Sequence, residues 1–275
     1  MAYHACMILT LLTFLLAIVC GGLGALLGLG GGTFLVPALT LLLHVPIKVA
    51  VGASIVSVTA SSTMAGAMSS GSGMNHIRLA LILEIATTAG VLAGGLTALF
   101  MSARGLMIVF GVVTLAMAAS MARRQSGDVT PVETGTLDTA FDDPYTGKEV
   151  RYGIKRVPIG LAAAFVAGNV SGMLGIGGGG IKVPVMNLAM GVPLKAAIAT
   201  SNFMVGITAA TSALLFYRAG IIHPDVAAPA ALGVLLGARL STVWGMKSNH
   251  GTLQRILLVV LVIVAIQMLV KAWQS

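Results

Sequence analysis

A ten-residue glycine-rich stretch occurs twice in this 275-residue chain, as GLGGGTFLVP at Gly28–Pro37 and GIGGGGIKVP at Gly175–Pro184. The copies lie 147 residues apart, and the offset holds without a gap well beyond them. Val45-Pro46 returns as Val192-Pro193, Lys48 as Lys195, Ser54 as Ser201, His76 as His223 and Gly90 as Gly237. A constant offset over most of each half is the mark of one unit used twice. Glycine clusters inside apolar sequence break membrane helices, and breaks in corresponding places of two halves point to a transporter's binding site.

The membrane reading rests on composition. The chain is 57% hydrophobic and 9% charged, with a mean hydropathy of +1.00. Apolar stretches long enough to cross a bilayer recur along it. The net charge of +8 does not point to nucleic acid. The basic residues sit mostly at the ends of apolar segments, where they orient helices, and no aromatic-basic interleaving is present. Cys6 and Cys20 have no metal or redox spacing and read as small buried hydrophobes. The first apolar segment has no Lys or Arg ahead of it, and Val19 is a poor residue before a cleavage site. It reads as a retained first helix.

Five apolar segments are expected in each half: about 7–27, 33–44, 49–70, 79–101 and 105–122, then 157–174, 181–191, 196–217, 226–246 and 253–271. The fold class is therefore an all-α polytopic membrane protein with two homologous halves. Segments 33–44 and 181–191 are shorter than the ~20 residues needed to span a bilayer, and each follows a glycine break. Each reads as a half-helix paired with the segment before it. Residues 1–124 form the first repeat, 125–154 a polar linker and 155–275 the second repeat. The linker region holds six of the eight acids, reads as a mobile surface loop and is flanked by Arg123, Arg124, Lys155 and Arg156, which place it in the cytoplasm. If the short segments cross, the halves are inverted; otherwise they are parallel. The Lys/Arg distribution does not separate the two, and the uncharged N-terminus leans toward inverted repeats.

The candidate site starts from the backbone. Gly30, Gly31 and Gly32, and Gly177, Gly178, Gly179 and Gly180, place unpaired amides just ahead of a half-helix whose positive dipole end points the same way. That suits an anion; the alternative is close packing of small residues. Lys182 replaces Leu35 of the first copy, and a lysine near mid-membrane costs roughly 2.5–3.5 kcal/mol, which marks it as functional unless it reaches an interface. Ser54, Ser201 and Asn202 stand near the motif and offer hydrogen bonds. Their neighbours Ser57, Thr59, Ser61, Thr63, Thr208, Thr211 and Ser212 can line a pathway or bond back to their own helix. Glu84, inside the fourth segment, is a proton carrier or the partner of Arg239 in the ninth. Asp225 reads as a helix cap, and His76 and His223 as loop-end residues. No nucleophile-base pair, metal-ligand cluster or phosphate loop is present, so neither an enzyme nor a cofactor is expected.

The paired motif, each copy followed by Val-Pro-x-Lys, together with LLGARL at Leu235–Leu240, resembles the TauE/SafE family of sulfite exporter-like permeases. The resemblance covers both halves and leaves out essentially only the polar linker. It implies a duplicated helix bundle that moves small sulfur-containing anions, such as sulfite and organosulfonates, across the bacterial inner membrane. Lys182 stands where many members are expected to carry an apolar residue. The partners expected are thus a small anionic substrate and the lipid bilayer, with a homodimer open and no nucleic acid. The competing readings are a proton- or cation-coupled symporter for another solute, a channel, and a membrane scaffold whose glycines only pack helices.

Overall fold

The computed structural model describes residues 2–27, 31–70, 75–123, 136–142, 149–245 and 250–274. The described chain is a helix bundle. The first half supplies α1 (Ala2–Leu27), α2 (Gly32–Leu42), α3 (Ile47–Ser70), α4 (Ile77–Phe100) and α5 (Ala103–Arg123). The second supplies α6 (Val157–Leu174), α7 (Gly179–Pro184), α8 (Leu194–Arg218), α9 (Pro224–Gly245) and α10 (His250–Gln274). Six of these are long and apolar enough to cross a membrane: α1, α3, α4, α5, α6 and α8. Chains of such helices satisfy their own backbone in lipid, which is why this composition folds this way. The protein is a multi-pass membrane protein, and large apolar side chains such as Leu11, Leu15, Ile85 and Ile263 face outward from the bundle.

The two short segments form as expected. α2 carries Pro37 inside it and α7 carries Pro184. Proline has no N–H to donate and crowds the preceding turn. After Pro184 the backbone widens into a π-helical turn over Val185–Ala189, so the second short segment runs from Gly179 to Ala189. Gly175 (φ 69), Gly177 (φ 76) and Gly178 (φ 71) all take left-handed conformations that only glycine adopts without strain. Three such residues turn the chain back on itself between α6 and α7. The Lys155 amide donates to the Met190 carbonyl at 3.1 Å, so the returning segment ends beside the start of α6.

Helix directions follow from contacts. α4 and α8 run parallel: the His76 amide bonds Thr200 Oγ1, and eight residues further along each chain Thr208 bonds Glu84. α4 and α6 run parallel too, with Gly168 set against Thr87 and Gly172 against Val91. α1 and α9 form the other close pair, with Gly233 against Phe14 and Gly237 against Ile18. Contacts recur at the sequence offset. A Cβ on Gly90 would overlap the Phe165 carbonyl oxygen, and one on Gly237 would overlap that of Ile18; Gly168 meets Thr87 as Gly21 meets Val234. Each member of one contact lies 147 residues from its counterpart in the other. Lysines close two helix ends by donating to late carbonyls: Lys48 to Leu99 of α4 at 2.9 Å and Lys271 to Thr40 of α2 at 2.6 Å.

The linker corrects one expectation. Rather than a mobile loop throughout, it contains an antiparallel hairpin, β1 (Thr136–Asp142) and β2 (Glu149–Ile154). Phe141, Tyr152 and Ile154 are buried against Leu79, Leu83, Met186 and Met190. Tyr152 meets the rings of both Phe141 and His76 edge-on. His76 locks the hairpin to α4: its Nδ1 accepts from the Leu79 amide at 3.1 Å, and its Nε2 lies 3.1 Å from the Leu137 carbonyl. An imidazole that accepts at Nδ1 donates at Nε2, so both bonds require the neutral ring.

Burial pushes the Tyr152 phenol up from the ordinary 10.0 to about 12. A raised phenol favours the docked hairpin below pH ~10, and that contribution is lost as pH rises through the folded value. Protease cleavage within the hairpin should therefore increase between pH ~10 and ~12. The phenolate absorbance missing from Tyr152→Phe should appear near the upper limit. A Tyr152 that titrates near 10 in the folded protein contradicts the docked hairpin.

Candidate functional site

The two glycine breaks meet inside the bundle. Gly32, the first residue of α2, is pressed against the Gly175 carbonyl at the end of α6 so closely that a Cβ would overlap it. Ser54 of α3 donates to that same carbonyl at 2.7 Å. Gly31 packs against Val234 and Gly21. For Gly31 and Gly32 the close-packing role is thus plain, and Ser54 clamps the second break instead of presenting a free hydroxyl. Gly30 lies outside the described residues. Gly177, Gly178, Gly179 and Gly180 are all buried. Gly178 caps α7 without a side-chain hydrogen bond. By helix geometry the first amides of α7 have no acceptor within their own helix.

Ser201, the counterpart of Ser54 in α8, is fully buried, and its Oγ has no hydrogen-bond partner among the described residues. Gly28, which would stand to Ser201 as Gly175 stands to Ser54, lies outside the described residues. Asn202 is half-buried on the same helix. Most other hydroxyls bond back to their own helices: Ser57 to Ala53, Thr59 to Ile55, Ser61 to Val58, Thr63 to Thr59 and Thr211 to Ile207.

The charged centre lies in the second half. Lys182 of α7 is 2% exposed, so it does not reach an interface. Its Nζ donates to Thr208 Oγ1 of α8 at 3.0 Å. Thr208 Oγ1 in turn lies 2.8 Å from Glu84 Oε1 of α4. Lys182 Nζ and Glu84 Oε2 are 3.9 Å apart. Glu84 therefore faces Lys182 and Thr208, where the sequence had offered Arg239 as its partner. α6 completes the enclosure: Lys182 lines a cavity of about 10 Å³ with Leu83, Gly160, Ala163, Val185, Met186 and Met190. That space is at the lower limit for one water and excludes a sulfur oxyanion. The hairpin joins the same apolar cluster, since Phe141, Tyr152 and Ile154 share it with Leu83, Met186 and Met190. The described residues thus leave little space beside Lys182, and the linker hairpin packs into the same region.

Thr208 is the residue that sequence reasoning did not single out. The signal available was the charge pattern: Glu84 and Lys182 are opposite charges deep in apolar segments, and such charges pair. At the 147-residue offset the first half places Leu35 and Ser61 opposite Lys182 and Thr208, and Ala231 stands opposite Glu84. The cluster therefore has no counterpart, and the site is asymmetric. No group of three or more His, Cys, Asp or Glu that could hold a metal occurs among the described residues.

Long apolar helices, two short segments that start at glycine breaks, and a buried charge cluster on the second of them fit the architecture of a membrane transporter. The chain belongs to the family described as sulfite exporter TauE/SafE, whose model matches residues 13–268. A "Probable membrane transporter protein YunE" of Bacillus subtilis (strain 168) is 27% identical over 265 residues, covering 92% of this chain and 95% of the relative. A "Probable membrane transporter protein" of Xylella fastidiosa (strain 9a5c) is 27% identical over 276 residues, covering 97% and 99%. No solved structure matches the chain significantly.

Proposed function

We propose that this protein is a secondary transporter of small sulfur-containing anions, sulfite or an organosulfonate, in the bacterial inner membrane, and that it is not an enzyme. The observation that carries the reading is Lys182: a cation 2% exposed, on a half-helix that starts at a glycine break. A buried cation attracts an oxyanion strongly because little water screens it. Gly177–Gly180 supply backbone donors on the same segment, and Ser201 and Asn202 offer further hydrogen bonds from α8. Gly30–Gly32 belong to the other half's break, which packs against the second at Gly32 and Gly175.

The arrangement of the halves supports transport by alternating access. The recurring glycine contacts support two inverted-topology repeats, and rocking of one against the other opens a closed site to alternate sides. The basic flanks of the linker support a cytoplasmic hairpin, which in this reading covers the route to Lys182. Export to the outside is the direction that the family description suggests.

A thermal-shift screen of the detergent-purified protein tests the reading. Sulfite and simple sulfonates should raise the midpoint in a saturable manner, because a ligand that binds only the folded state stabilises it. Chloride at equal ionic strength should not. Equal effects of all anions favour a scaffold whose glycines only pack helices.

A further inference from the structure

The Glu84–Thr208–Lys182 chain is wired through a hydroxyl that has more acceptors than protons. Glu84 Oε2 is buried and accepts no hydrogen bond among the described residues, and at 3.9 Å from Lys182 Nζ it is beyond direct bonding distance. The connection runs through Thr208 Oγ1, which receives a bond from Lys182 at 3.0 Å. That hydroxyl has two acceptors in reach, Glu84 Oε1 at 2.8 Å and the Met204 carbonyl at 2.9 Å. It carries one hydrogen and can donate to one of them at a time.

The same heavy atoms thus support two proton arrangements. With Glu84 ionised, Thr208 donates to Oε1, and the carboxylate is the counter-ion of Lys182. With a proton on Glu84, the carboxyl O–H donates to Thr208 Oγ1, and Thr208 turns its own hydrogen to Met204. Lys182 keeps its bond to Thr208 in both states but has a counter-ion only in the first.

We propose that Glu84 is a built-in competitor for the transported anion, neutralised by one proton, so that anion and proton cross together in a one-to-one, electroneutral step. The proposal rests on Lys182 being the anion's seat. Empty, the site holds Glu84 as carboxylate and Lys182 as ammonium. Loaded, it holds the Glu84 carboxylic acid, the Lys182 ammonium and one monoanion. Both states are neutral. A proton without the anion leaves Lys182 uncompensated, and an anion without the proton places two negative charges beside one positive. Either leaves a net charge in a closed, apolar site, which is strongly disfavoured.

Among the described residues, the elements packed against Glu84 and Lys182 offer no rival titratable group at this depth. α6 contributes none, α7 contributes Lys182 alone, and the π-helical turn contributes none. On α8, Lys195, Tyr217 and Arg218 lie near the ends. Arg78 sits in the first turn of α4, and His76 and Tyr152 are at the hairpin, two helical turns from Glu84. A consequence is that this site does not itself enforce export. A one-unit pH difference balances a tenfold anion gradient, so an acidic exterior drives uptake unless the outward anion ratio exceeds that.

The test uses the full chain in proteoliposomes, a trapped pH dye and labelled methanesulfonate, a fixed monoanion that, unlike sulfite, does not titrate near neutrality. Acidifying the outside by one unit should drive internal accumulation of up to about tenfold, with equimolar entry of protons and no response to an imposed potassium diffusion potential. In Glu84→Gln the accumulation ratio should fall to about one. Wild-type accumulation that ignores the pH step or follows the potential overturns the proposal, and so does a Glu84→Gln protein that still accumulates. The wild-type proton count decides the matter even where the variant does not fold. Gradient-free counterflow separates the two readings: if neither sulfite nor methanesulfonate exchanges, the anion-transport reading itself falls.

Discussion

Lys182→Met should destabilise the protein by about 3–5 kcal/mol, because it leaves the Glu84 carboxylate buried without its counter-charge. For a chain of this size that is on the order of a 10 °C loss in Tm. Glu84→Gln should also destabilise, since it strands Lys182, while its amide can still meet Thr208. The double variant Lys182→Met with Glu84→Gln removes both charges and should regain most of the stability lost in either single variant. Transport should stay lost in the double variant. Recovery of stability without recovery of flux would separate the structural role of the pair from its role in moving an anion. Additive losses in the double variant contradict the geometry, in which the two charges share Thr208 and little else.

Gly90→Ala and Gly237→Ala should each destabilise the protein by about 1–3 kcal/mol, and by similar amounts. The sign is the informative part. Inside an ordinary helix, glycine to alanine is favourable by up to about 1 kcal/mol. Here the new methyl group would overlap a carbonyl oxygen of the neighbouring helix, that of Phe165 for Gly90 and that of Ile18 for Gly237. Gly206→Ala is the control. A Cβ there meets nothing nearer than 3.7 Å, so the change should be neutral or stabilising. Midpoints of the three variants in detergent check the pattern. If Gly90→Ala and Gly237→Ala move oppositely, the helix pairs α4/α6 and α1/α9 are not packed alike.

Much of the architecture could be read from apolar periods and glycine breaks. α2 starts at Gly32 and the second short segment at Gly179, because glycines that turn the chain are a local property. The length limit on a spanning helix marks both as half-helices. The hairpin was not legible in that way. Its residues lie in the polar stretch, which composition marks as a loop. What fixes it is tertiary: Leu79, Leu83, Met186 and Met190 form an apolar floor for Phe141, Tyr152 and Ile154. The charge cluster lay between these extremes. Glu84 and Lys182 each stood out as charges in apolar segments, but their partnership depends on α4, α7 and α8 meeting at one level. Arg239 was the partner that the sequence suggested. Ser54 illustrates the opposite failure: a hydroxyl near the motif proved to clamp the Gly175 carbonyl of the facing break.

Counterflow of labelled sulfite in proteoliposomes tests the central claim most directly. Vesicles loaded with unlabelled sulfite should draw in the label transiently, with saturable rates, in wild type. Methanesulfonate inside should substitute for sulfite, and Lys182→Met should abolish the exchange. Flux that never saturates, exchange that persists undiminished in Lys182→Met, or no exchange of either anion by folded wild-type protein would contradict an anion carrier seated on Lys182.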